Sequence, residues 1–291
     1  MKKLVATALF ALWAPLALAV QPYVYGEKTP GGVSAVKQKL TAAGFKIIGD
    51  HTPRGVGGDI IIATDDGLLN AVRATGGSTI VAAPVRVAVQ PDGTVSYANP
   101  EYWGRAYFRK QFNGTAEAAE KAVGEKLVKA LGAGKEFGGD VSAGDLASYR
   151  YMFGMERFDS DKNDLKSYGS FEQAVAAVRS NLAAGKNNCS KSYEIVMPDK
   201  KIAVFGVEMN DPATGEGSWL KKIGSSQMAA LPYEIFVVGN KVEALYGRYR
   251  IALGWPKLGM GTFMSISDTP DQILETLTGV AGGVYEKSSS F

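Results

Sequence analysis

One pattern is written twice in this chain, and that constrains its fold more than any other feature. Residues 78–102 read "STIVAAPVRVAVQPDGTVSYANPEY", and about 148 positions later the chain reads "SQMAALPYEIFVVGNKVEALYGRY". Each stretch carries a Ser, small apolar residues, a Pro, an alternating apolar run, a tight polar turn and a second run. Alternation is the signature of a β-strand, and Asp92-Gly93 and Gly239-Asn240 are hairpin turns. In the first copy Val85, Val87 and Val89 share one face and Arg86 and Ala88 the other. That spacing predicts a hairpin with one face buried and one shown to solvent.

The flanking segments repeat as well. "VSAVKQKLTAAG" places Val33, Val36, Leu40 and Ala43 on one helical stripe, and "SFEQAVAAVRSNLAAG" does the same with Val175, Val178 and Leu182. Each helix is followed by two β-like runs, a short helix (near 65–75 in the first copy, "GEGSWLKKIGSS" in the second), the hairpin and a closing helix. In the first copy Thr115 is a candidate N-cap, and Ala119, Val123, Leu127 and Leu131 form the closing stripe. "TPDQILETLTGVAGG" closes the second. The expected fold is α+β: two tandem units, each an antiparallel sheet covered on one face by helices in a helix-grip manner, related by a pseudo-twofold. The units are expected at 20–134 and 167–291, joined by a Gly- and charge-rich connector at 135–166.

The start of the chain, "MKKLVATALFALWAPLALAVQ", has two lysines, an apolar run and Ala17-Leu18-Ala19. This order reads as a secretory signal peptide over 1–19, so the mature protein is expected in the periplasm or secreted, with no membrane span. Basic and acidic residues, 32 and 29, nearly cancel, which leaves no global field for nucleic acid. A single cysteine, Cys189, excludes an internal disulfide and reads as incidental.

The stretch "TIVAAPVRVAVQPDGTVSYANPEY", with Asn99-Pro100 and an Ala-rich closing helix after it, resembles the bacterial domain-of-unknown-function 302 family. The likeness covers about residues 23–132 and, more loosely, 168–282, where Tyr246-Gly247 replaces Asn-Pro. It implies a β-α-β(4)-α fold of the TATA-binding-protein class. It implies no activity and no catalytic residues.

Motifs for chemistry are sparse. His51, the only histidine, lies in a polar turn, "GDHTPRG", and reads as an exposed loop residue. "DSDKNDLKSYGS" lacks the glycine and the final glutamate of an EF-hand and reads as a solvated linker. "RGVGGD" is no dinucleotide fingerprint, and no cofactor is expected. Glu101 and Asp92 are the carboxylates considered for an enzymatic site. Two aromatic stretches stand out: "NPEYWGRAYFRKQF" and "ALYGRYRIALGWPKLGMGTFMSI". They nominate Trp103, Tyr107, Tyr249, Trp255, Met260 and Phe263 for a small apolar ligand, or for packing between the units. Met260 and Met264, with Met152 and Met155, are the candidates for Cu(I). The expected function is a non-enzymatic binding or scaffold protein acting on a small ligand or a protein partner. The alternatives are a carboxylate enzyme and a metal-handling protein.

Overall fold

A computed structural model describes residues 18–286. The segment read as a signal peptide lies almost wholly outside the described residues. In chain order the elements are β1 (Ala19–Val20), β2 (Tyr23–Tyr25), α1 (Gly32–Ala42), β3 (Lys46–His51), β4 (Asp59–Thr64) and α2 (Asp66–Thr75). Then come β5 (Val85–Val89), β6 (Val95–Ala98), α3 (Pro100–Phe108), α4 (Gly114–Leu131), β7 (Glu136–Phe137) and β8 (Val141–Ser142). The rest follows as β9 (Asp164–Ser167), α5 (Phe171–Ala183), β10 (Cys189–Met197), β11 (Ile202–Met209), α6 (Glu216–Ile223), β12 (Tyr233–Val238) and β13 (Lys241–Glu243). Three helices end the chain, α7 (Gly247–Gly254), α8 (Met260–Met264) and α9 (Thr269–Val280). A 3-10 turn, Gly77–Ala82 or Ser225–Ala230, leads into β5 and β12.

The fold is α+β with antiparallel sheets. One sheet runs β3-β4-β5-β6-β2-β7 and the other β10-β11-β12-β13-β9, while β1 and β8 form a small ribbon. The local signals explain most elements. Val36 and Leu40 are the buried stripe of α1, and Val175, Val178 and Leu182 are that of α5. Asp65 caps α2 by accepting from the amides of Gly67 and Leu68, which satisfies orphan donors of its first turn. At the first hairpin Asp92 Oδ1 accepts from the Thr94 amide and Gly93 takes φ 80°, a conformation free of strain only for glycine.

Four expectations are corrected. First, both faces of β5 are buried, Arg86 and Ala88 included. The reason is reciprocal cover: the Ser225–Ala230 turn packs on β5 and β6, and the Gly77–Ala82 turn packs on β11 and β12. The two sheets also approach through β3 and β10, where a Cβ on Gly49 would lie 2.1 Å from the Ser192 carbonyl oxygen. Second, the Asp159–Ser170 stretch is not merely a solvated linker. It supplies edge strand β9, and its Asn163 is buried, donating to the Phe158 carbonyl and accepting from the Tyr246 amide. Third, the first hairpin is not followed directly by its closing helix: α3 intervenes, with Asn99 capping the Glu101 amide. Fourth, α4 starts after Asn113 rather than at Thr115, and its buried stripe is Ala116, Glu120, Val123, Leu127 and Leu131, with Glu120 where Ala119 was expected.

Candidate functional site

The alternation of β5 points Arg86 toward the second sheet, and there it meets Glu234 of β12 in a buried ion pair. Arg250 of α7 adds a second guanidinium, 3.7 Å from Glu234 Oε2, and donates to the Ala230 carbonyl. Tyr193 Oη donates to Glu234 Oε1 at 3.4 Å. Arg250 also lies 4.8 Å from the Trp103 ring centroid, a cation–π distance. Burial lowers the Arg86 pKa and raises those of the surrounding phenols, Tyr193, Tyr233 and Tyr249 among them, so the phenols stay neutral. A buried charge pair adds little net stability over an apolar replacement, but breaking it by removing one partner is costly.

A second charge cluster also crosses between the sheets. His51, expected in an exposed loop, is the buried last residue of β3. Its Nε2 contacts Glu216 of α6, and its Nδ1 is 3.7 Å from Glu208 of β11. Burial works to lower the His51 pKa, but the Glu216 charge and hydrogen bonding with Glu208 and Glu216 outweigh it and push it up to about 9. His51 is therefore an imidazolium at neutral pH and unavailable as a base.

The nominated aromatic residues fall into two groups. Trp103, Tyr107 and Tyr249 come together: Trp103 and Tyr107 are 5.4 Å apart, and Phe158 touches both Tyr107 and Tyr249 at 6.1 Å. All three are buried, and Trp103 Nε1 donates to the Pro22 carbonyl. Trp255 packs instead on Trp219, and Phe263 on Tyr151. Met260 and Met264, one turn apart on α8, are exposed. The Tyr151–Phe263 contact sets the loop bearing exposed Met152 and Phe153 against α8. Glu101 pairs with Arg105 on α3 and Asp92 with Lys28 at the hairpin turn, so these two carboxylates do not form a dyad. Cys189 is buried and free at the start of β10, and burial, with Glu216 and Asp211 adding, pushes its thiol up to about 12.

Two adjoining clefts open above the aromatic group, and Arg109 belongs to both. The first, about 390 Å³, gathers Arg109, Lys110 and Arg157, with Asp159 among them, over Phe108, Tyr149 and Phe158. The second, about 270 Å³, carries Asp161, Asp164 and Glu243. Arg109 ends α3 with φ 55° and ψ −126°, a region that favours glycine. Its guanidinium lies 4.2 Å from the Phe158 ring centroid, and Nη2 donates to Ser78 Oγ at 3.3 Å. The cations outnumber the Asp159 carboxylate, so the first cleft is net positive above aromatic walls, a setting suited to an anion. Among the described residues there is no group of three His, Cys, Asp or Glu side chains placed to hold a metal ion.

Sequence reasoning overlooked Arg86, Glu234, Arg250, Glu120 and the role of His51. A charge two residues after each hairpin proline was the available signal for the first pair, and an Asn-Pro-Glu start was the signal for α3. The chain matches no family model, no curated protein and no solved structure. No helix among the described residues is long and apolar enough to cross a membrane.

Proposed function

We propose that this chain is an exported, non-enzymatic binding protein, made of two fused copies of one α+β unit, that takes a small anion in the cleft at Arg109. The duplication is supported by strand order. Counting strands of each sheet along the chain from β2 and from β9, both sheets run second, third, fourth, fifth, first, and β7 adds only an extra edge to one. Reciprocal packing of the two 3-10 turns fits a pseudo-twofold, so the chain buries internally what a homodimer buries between subunits. The likeness to the domain-of-unknown-function 302 family belongs to the same proposal and rests on that element order and on Asn99-Pro100.

One observation carries the binding role. An arginine occupies a backbone conformation that costs about 1–3 kcal/mol for a side-chain-bearing residue, at the wall of an open cationic cleft. Such strain persists where a side chain is needed. Of the aromatic residues expected to take an apolar ligand, Trp103, Tyr107 and Tyr249 are buried in one cluster and Trp255 and Phe263 pack on Trp219 and Tyr151, which favours a ligand in the charged cleft above that cluster. Calorimetric titration of the full chain with benzoate and with inorganic phosphate tests this. Saturable binding of one of them that Arg109→Gly abolishes is expected. Equal binding by wild type and Arg109→Gly, or no binding of either anion, overturns the anion reading.

A second reading, Cu(I) handling, draws on Met152, Met260 and Met264, which the Tyr151–Phe263 contact gathers on one side of the molecule. Equal Cu(I) affinity in wild type and Met264→Leu would eliminate it.

A further inference from the structure

Helix α4 breaks its own pattern at one position. Its buried stripe is apolar at Ala116, Val123, Leu127 and Leu131, yet the position between the first two is Glu120. A helix stripe facing a core calls for an apolar side chain, and a local rule broken without a visible gain marks a site with another purpose. Glu120 is 5% exposed, its carboxyl makes no hydrogen bond or ion pair among the described residues, and its oxygens reach the cleft rather than being fully sealed. An unpaired buried carboxylate is strongly disfavoured, and burial alone raises the Glu120 pKa well above the usual range.

The surroundings make room for this group. Gly104 of α3 passes so close that a Cβ there would lie 2.7 Å from Glu120 Cγ and 2.6 Å from Phe112 Cε2. Glu120 lines a cleft of about 280 Å³ whose apolar walls are Pro100, Phe112 and Gly124. The other charged groups facing the cleft are Glu101, Arg105, Glu117 and Lys121. Arg105 is already held by Glu101, at 2.9 and 3.1 Å, and lies 4.9 Å from the Phe112 ring centroid. Glu117 and Lys121 are exposed at the rim. The deep part of the cleft therefore ends on one acid with unused capacity.

We infer that the cleft between α3 and α4 is a binding site for a small primary amine with an apolar body. The ammonium donates to the Glu120 carboxylate, and the body lies against Phe112 and Pro100. The bound cation supplies the charge partner that the fold withholds, so Glu120 gives up its proton as the ammonium arrives. Where the free acid holds its proton, amine binding releases that proton to solvent. This site is separate from the cleft at Arg109 and selects the opposite charge.

Calorimetric titration of the full chain with benzylamine, and with benzyl alcohol as its uncharged counterpart, tests the inference. Saturable benzylamine binding is expected, at least tenfold tighter than benzyl alcohol, with an enthalpy that varies between buffers as proton release requires. Glu120→Gln, which keeps the shape and removes the acid, should weaken benzylamine at least tenfold. Glu117→Gln, at the rim, should change it less than twofold. Absence of saturable benzylamine binding, equal binding of amine and alcohol, or full affinity in Glu120→Gln overturns it.

Discussion

Arg86 on β5 and Glu234 on β12 form a buried ion pair, and each stands two residues after the proline that precedes its hairpin strand. The partners are 148 residues apart, the spacing of the two hairpins themselves. Equivalent positions of two similar strands thus carry opposite charges that close on each other. Removing Arg86 leaves Glu234 buried with only Arg250, 3.7 Å away, and removing Glu234 leaves Arg86 and Arg250 buried without a carboxylate. Arg86→Met or Glu234→Met should each cost about 3–5 kcal/mol. The double replacement should cost far less than the two together, since the pair then leaves as a whole and Arg250 keeps the Ala230 carbonyl. Urea unfolding of the four proteins measures this, and additive losses would show that the pair is uncoupled.

His51 gives a pH dependence with a definite sign. Its folded pKa of about 9 lies above its ordinary value of 6.5, so the folded protein holds this proton more tightly than the unfolded chain. The stability this contributes is fully present below about pH 6.5 and is lost as pH rises through about 9. The loss should be on the order of 3 kcal/mol. Unfolding curves at pH 6, 8 and 10 should show the decline in wild type, and His51→Gln should flatten it.

Much of the fold was legible because its signals are local. Helices α1, α2, α4 and α5 and both hairpins follow from periodicity, caps and turn residues within short windows. What escaped depends on the opposite sheet. Alternation on β5 shows that Arg86 and Ala88 share a face but not that a turn more than a hundred residues away covers it. His51 looked exposed because its neighbours Thr52 and Pro53 are turn-like, whereas its partners Glu208 and Glu216 are remote in the chain. At Glu120 a four-residue spacing led to Ala119, while the actual 3.6-residue period from Ala116 to Val123 passes through the acid.

Glu120 carries its own stability signature, with or without a ligand. Its folded pKa is raised, so stability falls as pH climbs above the unfolded carboxyl value near 4.3. Glu120→Gln should therefore be more stable than wild type at pH 7, and the advantage should shrink toward pH 4 as wild type becomes protonated in both states. Thermal unfolding across that range would reveal a constant difference if Glu120 were not responsible.

Cys189 should be silent in the folded protein. It is buried, and its thiol is pushed up to about 12, so little thiolate exists at neutral pH. Iodoacetamide at pH 7.5 should leave it unmodified in buffer and modify it fully in denaturant, as read by intact mass. Rapid labelling of the native protein would contradict its burial.

The central claim is that the two sheets and their helices close on each other across one shared core, with Arg86–Glu234 and His51–Glu216 inside it. Scanning calorimetry of the full chain tests this most directly. One shared core predicts a single transition whose calorimetric and van't Hoff enthalpies agree, and in Arg86→Met a single transition moved to lower temperature. Two resolved transitions, with Arg86→Met shifting only one of them, would contradict it.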